Sequence, residues 1–519
     1  MIAVILIFPV IAAAVAFAFK RQTLDRALML AYAIVHASAT VLLILDPSGI
    51  PFLSNEWTPY FRTDALGILF LAVLSVVYLG TALYSMDFLS HANAGKWNTY
   101  YSMFIMLFVG AMSASILTTH LGVYWICVEA STLTSAALVY FYRTRTSLEA
   151  TWKYLFICSI GIALAFIGII LLSAANLRTN SLFFSDLYAD ASSFPRLTLS
   201  LSFAFLVVGF GTKMGLAPMH NWLPDAHAEA PAPVSALLSA TLLNTAFIGI
   251  LRMKKLADLA HLERFASMML FTMGFLSLFV SAVFIIRSRN FKRMLAYSSV
   301  EHMGILAIAL ATGGGALIAM FLHIIGHSLA KASYFLTAGT IYDTYGTKNI
   351  NEVSGVVKRS PVTGWLWILS FVAAAAFPPF STFISEFLII KELFSRHIVF
   401  TLLFFALLTA ILFGIASKTL AMAFGKSDEK PVRTPVARYA PQIVFLTIIA
   451  VLGLYLPPPL HDMLANECPL LQNRRRPFTG ILRITRRHHE KDTRRHARRP
   501  FLRNTARGRC DALRRARRG

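Results

Sequence analysis

About fourteen apolar stretches of about 17 or more residues follow one another along this chain, with short polar loops between them. A run of about 20 apolar residues is long enough for an α-helix to cross the hydrocarbon core of a bilayer. Only 14% of the residues are charged, against about 25% in soluble domains. The sequence therefore predicts an all-α polytopic membrane protein with no soluble domain of useful size.

We predict fourteen transmembrane helices. The first predicted span has neither the basic N-terminal region nor the small-residue cleavage site of a signal peptide, and further spans follow it. It is therefore interpreted as a transmembrane helix. The spans are expected at 1–19, 27–46, 64–86, 99–118, 120–142, 153–175, 197–222, 232–253, 268–287, 295–313, 315–341, 360–395, 399–424 and 440–458.

The seventh and twelfth spans are predicted to be broken helices. Lys213 lies inside the seventh span among glycines and ahead of Pro218, and Glu386 and Lys391 follow Pro378 and Pro379 in the twelfth. A charge at membrane depth costs at least about 2.5–3.5 kcal/mol, so such residues are functional candidates. Irregular backbone is tolerated there only where it lines protein or a wet cavity.

Two further groups of ionisable residues fall within predicted spans. Glu129 lies in the middle of the fifth span, and we expect it to pair with Lys213. Such a pair can act as a proton-loading switch or as a static ion pair. His323, His327 and Lys331 form one helical stripe in the eleventh span. A proton-conducting stripe is favoured over a purely packed one, and no metal is expected because no third ligand lies nearby in sequence.

The cysteines and glycines do not predict a cofactor. The four cysteines lie far apart, so no iron–sulfur cluster or zinc site has its usual spacing. Nucleotide-binding glycine motifs are missing from the sequence. Redox chemistry, if the protein takes part in any, is therefore expected in partner subunits.

The distribution of basic residues predicts the orientation. Loops after odd-numbered spans hold about 18 Lys and Arg residues and loops after even-numbered spans about 8. The odd loops are therefore expected to be cytoplasmic, and both termini outside. The segment 468–519 carries a net charge of about +15 of the chain's +23, on the side that disfavours positive charge. It is interpreted as a disordered or frameshifted tail with no assigned function, and nucleic acid is not an expected partner.

The layout of charges suggests two inverted repeats of five helices. The expected division is residues 1–95 for helices 1–3, 96–255 and 256–425 for two half-channels, 426–467 for the final helix and 468–519 for the tail. Lys418, inside the thirteenth span, is a further buried charge of the second half.

From about residue 60 to 425, the chain resembles the antiporter-like membrane subunits of respiratory complex I and of membrane-bound hydrogenases. The segment Ala228–Ser239 is most similar to component F of the hydrogenase 4 and formate hydrogenlyase type. The resemblance rests on the Glu129 region, a motif with Lys153, a long motif from Lys213 to His227, a motif with His302, the histidine stripe and the Glu386 region.

This resemblance implies roles for single residues. Glu129 and Lys213 match the charged pair of the first half-channel, and Glu386 matches the charge of the second. His323, His327 and Lys331 match the polar central axis. Asn244 stands where complex I relatives carry a lysine and cannot hold a proton, so water, His323 or His327 would have to link the half-channels.

The predicted function is a proton-translocating membrane subunit in the inner membrane of a bacterium or archaeon. It would hold no cofactor, and a soluble iron–sulfur, hydrogenase-like or dehydrogenase arm would transfer electrons from formate, hydrogen-linked carriers or NADH. Two alternatives remain open, a cation/proton antiporter subunit and a membrane subunit for inorganic-carbon uptake. A purely structural scaffold would not need buried charges at these positions.

Overall fold

The computed structural model describes residues 1–46, 59–91, 95–176, 179–426, 431–432 and 435–467. This part of the chain is helical, apart from short bridges between loops. In chain order the helices are α1 Ile2–Phe19, α2 Gln22–Leu45, α3 Ala65–His91, α4 Trp97–Leu117, α5 Leu121–Val139, α6 Arg145–Ala175, α7 Phe184–Ala189, α8 Arg196–Met214, α9 Trp222–Glu229, α10 Ala232–Leu237, α11 Leu243–Leu259, α12 Glu263–Arg287, α13 Phe291–Thr312, α14 Ala316–Tyr345, α15 Val356–Arg359, α16 Pro361–Ala374, α17 Ser381–Arg396, α18 Ile398–Phe424, α19 Ala440–Leu454 and α20 Pro458–Glu467.

The helix pattern confirms the predicted all-α membrane fold. Thirteen helical stretches in the described residues are long and apolar enough to cross a membrane. The predicted twelfth span is divided into the shorter helices α16, which is apolar, and α17. The inverted repeat and the division at residues 95, 255 and 425 stay predictions, and the tail 468–519 lies outside the described residues.

One predicted boundary differs clearly from the structure. The sixth span was expected at 153–175, but α6 already begins at Arg145. The Thr144 side chain accepts a hydrogen bond of 3.0 Å from the Ser147 backbone N–H and so caps the helix. An N-cap of this kind satisfies one of the orphan donors of the first turn. The helix therefore extends about two turns beyond its apolar segment.

Both predicted helix breaks are present. The seventh span is interrupted between α8 and α9, and the twelfth between α16 and α17. At the first break the Trp222 indole N–H donates to the Thr212 carbonyl at 2.9 Å. At the second, the Thr382 hydroxyl donates to the Ala373 carbonyl at 2.7 Å. These side chains satisfy carbonyls that a continuous helix would pair, as membrane burial requires.

A short π-helix that the hydropathy pattern does not predict lies between α10 and α11. It covers Leu238–Leu242 in the middle of the eighth span. The Asn244 amide donates 2.7 Å to the Ala240 carbonyl inside this segment. π-helical turns are rare and occur frequently at functional sites. Asn244 therefore has a structural task where the helix is irregular.

The most buried helices lie at the centre of the bundle. They are the stretch Ala232–Leu259, α13 and α14, whereas α1 and α18 present most of their residues outward. Helix α14 packs against α10 on one side and against α13, α16 and α17 on the other. Polar residues carried by α14 consequently lie between the two proposed halves.

In the first half, Gly209 allows α8 to pack closely against α6. A Cβ atom at Gly209 of α8 would lie 2.5 Å from the Gly161 carbonyl oxygen and 2.6 Å from the Ala165 Cβ atom of α6. Small residues at membrane helix interfaces allow this close approach. The contact fixes α8, and with it Lys213, against α6.

Candidate functional site

Lys213 lies in the last turn of α8, directly before the first helix break, and is fully buried. Its Nζ donates 2.7 Å to the Thr132 hydroxyl and 2.8 Å to the Tyr154 hydroxyl. Tyr154 in turn shares a hydrogen bond of 2.6 Å with the Ser135 hydroxyl. The buried ammonium is thus held by neutral hydroxyls from α5 and α6.

Glu129 does not form a direct ion pair with Lys213. In the described residues Lys213 is bonded to Thr132 and Tyr154, and no salt bridge joins it to Glu129 within 4.0 Å. The Ser159 hydroxyl donates to Glu129 Oε1 at 2.9 Å, while Oε2 has no hydrogen-bond partner in the described part of the chain. Glu129 and Thr132 are three residues apart on α5 and share one face. The predicted direct pair is therefore not formed. Glu129 instead shares a face of α5 with Thr132, which binds the lysine.

Lys153, a secondary candidate, belongs to a cluster of ion pairs with Glu149, Asp225 and Arg293. Its Nζ lies 2.6 Å from Glu149 Oε1 and 3.2 Å from Asp225 Oδ2. Arg293 of α13 lies 2.8 Å from the other oxygen of Asp225. Because Lys153 and Arg293 are about half exposed, these pairs contribute little to stability. The cluster joins α6, α9 and α13 near the loops.

Asn244 lies on α11 between the two proposed halves. Its amide uses both hydrogens, one for the Ala240 carbonyl and one for the Ser328 hydroxyl of α14 at 2.8 Å. Its Oδ1 is buried and has no hydrogen-bond partner in the described residues. An amide oxygen accepts hydrogen bonds but takes no proton. This acceptor can therefore orient a water molecule beside α14.

Two of the predicted histidines belong to a cluster that sequence spacing did not reveal. His302 Nδ1 and His323 Nε2 lie 3.0 Å apart, and His323 Nδ1 lies 3.0 Å from the Ser385 hydroxyl. The ring of His327 lies 4.7 Å from that of His302, between centroids. All three imidazoles are fully buried. Helices α13, α14 and α17 thus bring their polar groups together.

Glu386 lies beside this cluster, one residue after Ser385 on α17. One candidate ligand atom from each of His302, His323 and Glu386 falls within 4.8 Å of the other two. The imidazoles are fully buried, whereas Glu386 is partly exposed. The second broken helix therefore carries a carboxylate next to an imidazole pair.

Two other predicted residues are not brought to this cluster. Lys391 is five residues after Glu386 on α17 and is exposed. Lys418 donates to the backbone carbonyls of Ile286 at 2.9 Å and Ser288 at 2.6 Å. Cations at a helix C-terminus stabilise the unpaired carbonyls there. Lys418 therefore caps α12, and its position supports a structural role.

Sequence reasoning missed three residues of the site. Glu301 is nearly fully buried and accepts a hydrogen bond of 3.1 Å from the Ser298 hydroxyl. Tyr154 and Ser385 contact Lys213 and His323, as described above. Glu301 had a signal in the sequence, because it is an intramembrane carboxylate. The hydroxyl residues had none, since Ser and Tyr are common in membrane helices without a site role.

Residues 118–412 match the family described as NADH:quinone oxidoreductase/Mrp antiporter, transmembrane. The chain belongs to this family. The membership confirms the predicted resemblance and the predicted class of function, a proton-translocating membrane subunit. The match includes the Lys213 site, the histidine cluster and both helix breaks.

Individual relatives agree with this assignment. The chain is 34% identical to the hydrogenase-4 component F homolog of Methylacidiphilum infernorum over 428 residues, which covers 80% of this chain and 89% of that protein. The fold of the present chain is similar to that of a chain of the membrane-bound sulfane sulfur reductase, an archaeal respiratory membrane complex. The TM-score is 0.81 at 22% identity, and the match covers 91% of the present chain and 97% of the other. A chain of the Mrp complex from Dietzia sp. DQ12-45-1b has a TM-score of 0.78, 18% identity and coverage of 90% and 97%.

Proposed function

We propose that this chain moves protons along the polar residues between Lys213 and Glu386, driven by redox chemistry in partner subunits. The observation that carries the proposal is the environment of Lys213, a fully buried amine held by two neutral hydroxyls. A lysine in a purely structural ion pair would contact a carboxylate. Here the hydrogen-bond partners of Lys213 are the Thr132 and Tyr154 hydroxyls, and no salt bridge to a carboxylate is formed in the described residues.

The hydroxyl partners suit a lysine that gains and loses a proton. A hydroxyl group accepts a hydrogen bond from an ammonium and can rotate to donate one to a neutral amine. Thr132 and Tyr154 can therefore satisfy Lys213 in both protonation states. Glu129, one turn along α5 from Thr132, is close enough to bias the balance when its own charge changes.

The imidazole cluster is suited to pass a proton onward. A neutral imidazole donates through one ring nitrogen and accepts through the other. His302 and His323 are in hydrogen-bond contact, and His323 continues to Ser385. Glu386, the partly exposed carboxylate next to Ser385, then accepts the proton. Water bridges the remaining gaps, including the one beside Asn244.

The driving force comes from outside this chain in the proposal. The family places the chain among membrane subunits of multi-subunit complexes, and a soluble iron–sulfur, hydrogenase-like or dehydrogenase arm would transfer the electrons. Arrival of charge at Glu129 would shift the population of protonated Lys213, as any differential electrostatic interaction does. We place the chain in the plasma membrane of a prokaryote, with both termini outside.

The test is Lys213→Ala in the purified complex reconstituted in vesicles. Proton uptake per electron transferred should fall to background, while electron transfer measured with an uncoupler continues. Mass spectrometry of the co-purified subunits identifies the electron-transfer arm. Unchanged proton transport in the variant refutes the scheme.

A second candidate function is cation/proton antiport without electron transfer. The family description includes Mrp antiporters, and the fold is similar to a chain of an Mrp complex. Sodium-dependent proton movement in vesicles, with only small hydrophobic partners in the purified complex, would favour this function. A zinc-binding soluble partner would instead favour inorganic-carbon uptake.

A further inference from the structure

We propose that His302, His323 and Glu386 form a binding site for a divalent transition-metal ion of the Zn²⁺ class. The two histidines come from α13 and α14 and the glutamate from α17. One ligand atom from each lies within 4.8 Å of the other two. The spacing of His323 and His327 on one helix played no part in this arrangement.

The distances suit a tetrahedral ion. Zn–N bonds of about 2.0–2.1 Å place neighbouring ligand atoms about 3.4 Å apart. His302 Nδ1 and His323 Nε2 are already 3.0 Å apart. These two atoms need to separate by only a few tenths of an ångström, and the flexible Glu386 side chain supplies the remaining adjustment. Water can occupy the fourth position, while the Ser385 hydroxyl stays hydrogen-bonded to His323 Nδ1, the nitrogen that faces away from the ion, and orients the ring.

The ligand types select the metal. Two imidazoles with one carboxylate form a borderline set that suits Zn²⁺, Co²⁺, Ni²⁺ or Cu²⁺ better than Mg²⁺ or Ca²⁺, which prefer oxygen ligands. In such a site both histidines bind as neutral imidazoles. The ion replaces the proton that the two facing nitrogens share in the metal-free hydrogen bond.

Negatively charged side chains near the site would reduce the energetic cost of burying a divalent cation in the helix bundle. Glu386 supplies one negative charge as a ligand. Glu301, the neighbour of His302 in the chain, is nearly buried and supplies a second carboxylate on α13. Both carboxylates bring negative charge towards the ion, as the low-dielectric surroundings require, and the fully buried Lys331 of α14 offsets part of it.

A bound ion would also block proton transfer, a consequence that rests on the proposed function. It takes the nitrogen and oxygen lone pairs that a proton needs at three successive positions. It also ties α17, the helix after the second break, to α13 and α14. Metal binding itself follows from the geometry alone, so the two statements can fail separately.

The experiment measures metal binding to the purified complex before any transport assay. Chelator-washed complex is titrated with Co²⁺, whose visible absorption reports tetrahedral coordination, and retained Zn²⁺ is counted by mass spectrometry. His302→Gln and Glu386→Gln should each remove one ion per complex or weaken its binding by roughly 10- to 100-fold or more, since even changes to groups behind metal ligands have effects of that size. His302→Cys should restore binding because a thiolate is also a zinc ligand.

His227→Gln is the matched control, because His227 is another fully buried histidine and lies outside the three ligands. It should leave metal binding unchanged. Recovery by His302→Cys shows that loss in His302→Gln does not reflect misfolding, and the partly exposed Glu386 offers a second, milder variant. Equal ion counts and affinities in wild type and all variants would overturn the proposal. Binding that leaves proton transport unaffected would support the metal site and count against the proton route.

Discussion

Tyr154→Phe removes one hydroxyl from the Lys213 site and leaves the aromatic ring in place. The ring packs against Trp222, with centroids 4.8 Å apart, and this contact survives the substitution. The lysine keeps Thr132 as its second partner at 2.7 Å. The variant therefore tests the hydrogen bond itself, with little change in packing volume.

The expected size of the effect follows from the contact that is lost. A hydrogen bond to a charged group stabilises by about 1.5–3 kcal/mol, and a buried donor left unpaired costs a similar amount. Since about 1.4 kcal/mol corresponds to a factor of ten, the ratio of charged to neutral Lys213 should fall by up to roughly 10- to 150-fold. Proton transport that depends on the charged state should fall, with this factor as its upper bound.

The assay compares protons moved per electron in reconstituted vesicles, with electron transfer measured separately in the presence of an uncoupler. Ser135→Ala is the matched control, because Ser135 contacts Tyr154 but makes no hydrogen bond to Lys213 in the described structure. It should affect transport far less. A normal proton-to-electron ratio in Tyr154→Phe would show that the hydroxyl does not support a titrating lysine.

Three further predictions concern packing, surface charge and orientation. Gly209→Ala should reduce the yield of assembled complex by forcing α8 from α6, at about 1–3 kcal/mol, whereas Leu201→Ala on the exposed side of α8 should not; native gels compare the two. Asp225→Asn should change stability by less than about 1 kcal/mol, and a clear drop in melting temperature would reveal a larger role for this ionic cluster. In a cysteine-free background, an impermeant maleimide should label Asn180→Cys in intact cells but Lys358→Cys only after permeabilisation, and the reverse pattern would invert the proposed orientation.

The sequence was sufficient to predict the membrane fold and both helix breaks. Apolar length determines each span, and glycine and proline next to a charge mark the places where a helix cannot continue. Helix ends were less predictable. The extension of α6 to Arg145 depends on a single capping threonine, and the short helices α7, α15 and α20 carry no hydropathy signal.

The site was predicted only in part, because contacts between distant segments decide it. Lys213 and Glu129 each stood out as intramembrane charges, but the hydroxyls that bind Lys213 come from Thr132 of α5 and Tyr154 of α6. The three proposed metal ligands were likewise not predictable from sequence spacing. Spacing along α14 pointed to His323 and His327, whereas His302 and Glu386 reach the cluster from helices 21 residues before and 63 residues after His323.

The structure also gives a physical reason for a neutral residue at Asn244. A lysine there would add another buried cation to a bundle that already holds Lys213 and Lys331, both fully buried. The amide instead donates to the Ala240 carbonyl of the π-helical turn and to Ser328, and its buried Oδ1 remains available as an acceptor in the described structure. The central link would then pass protons through water oriented by an uncharged group. Lys213 and the imidazole cluster on either side would remain the positions where charge resides.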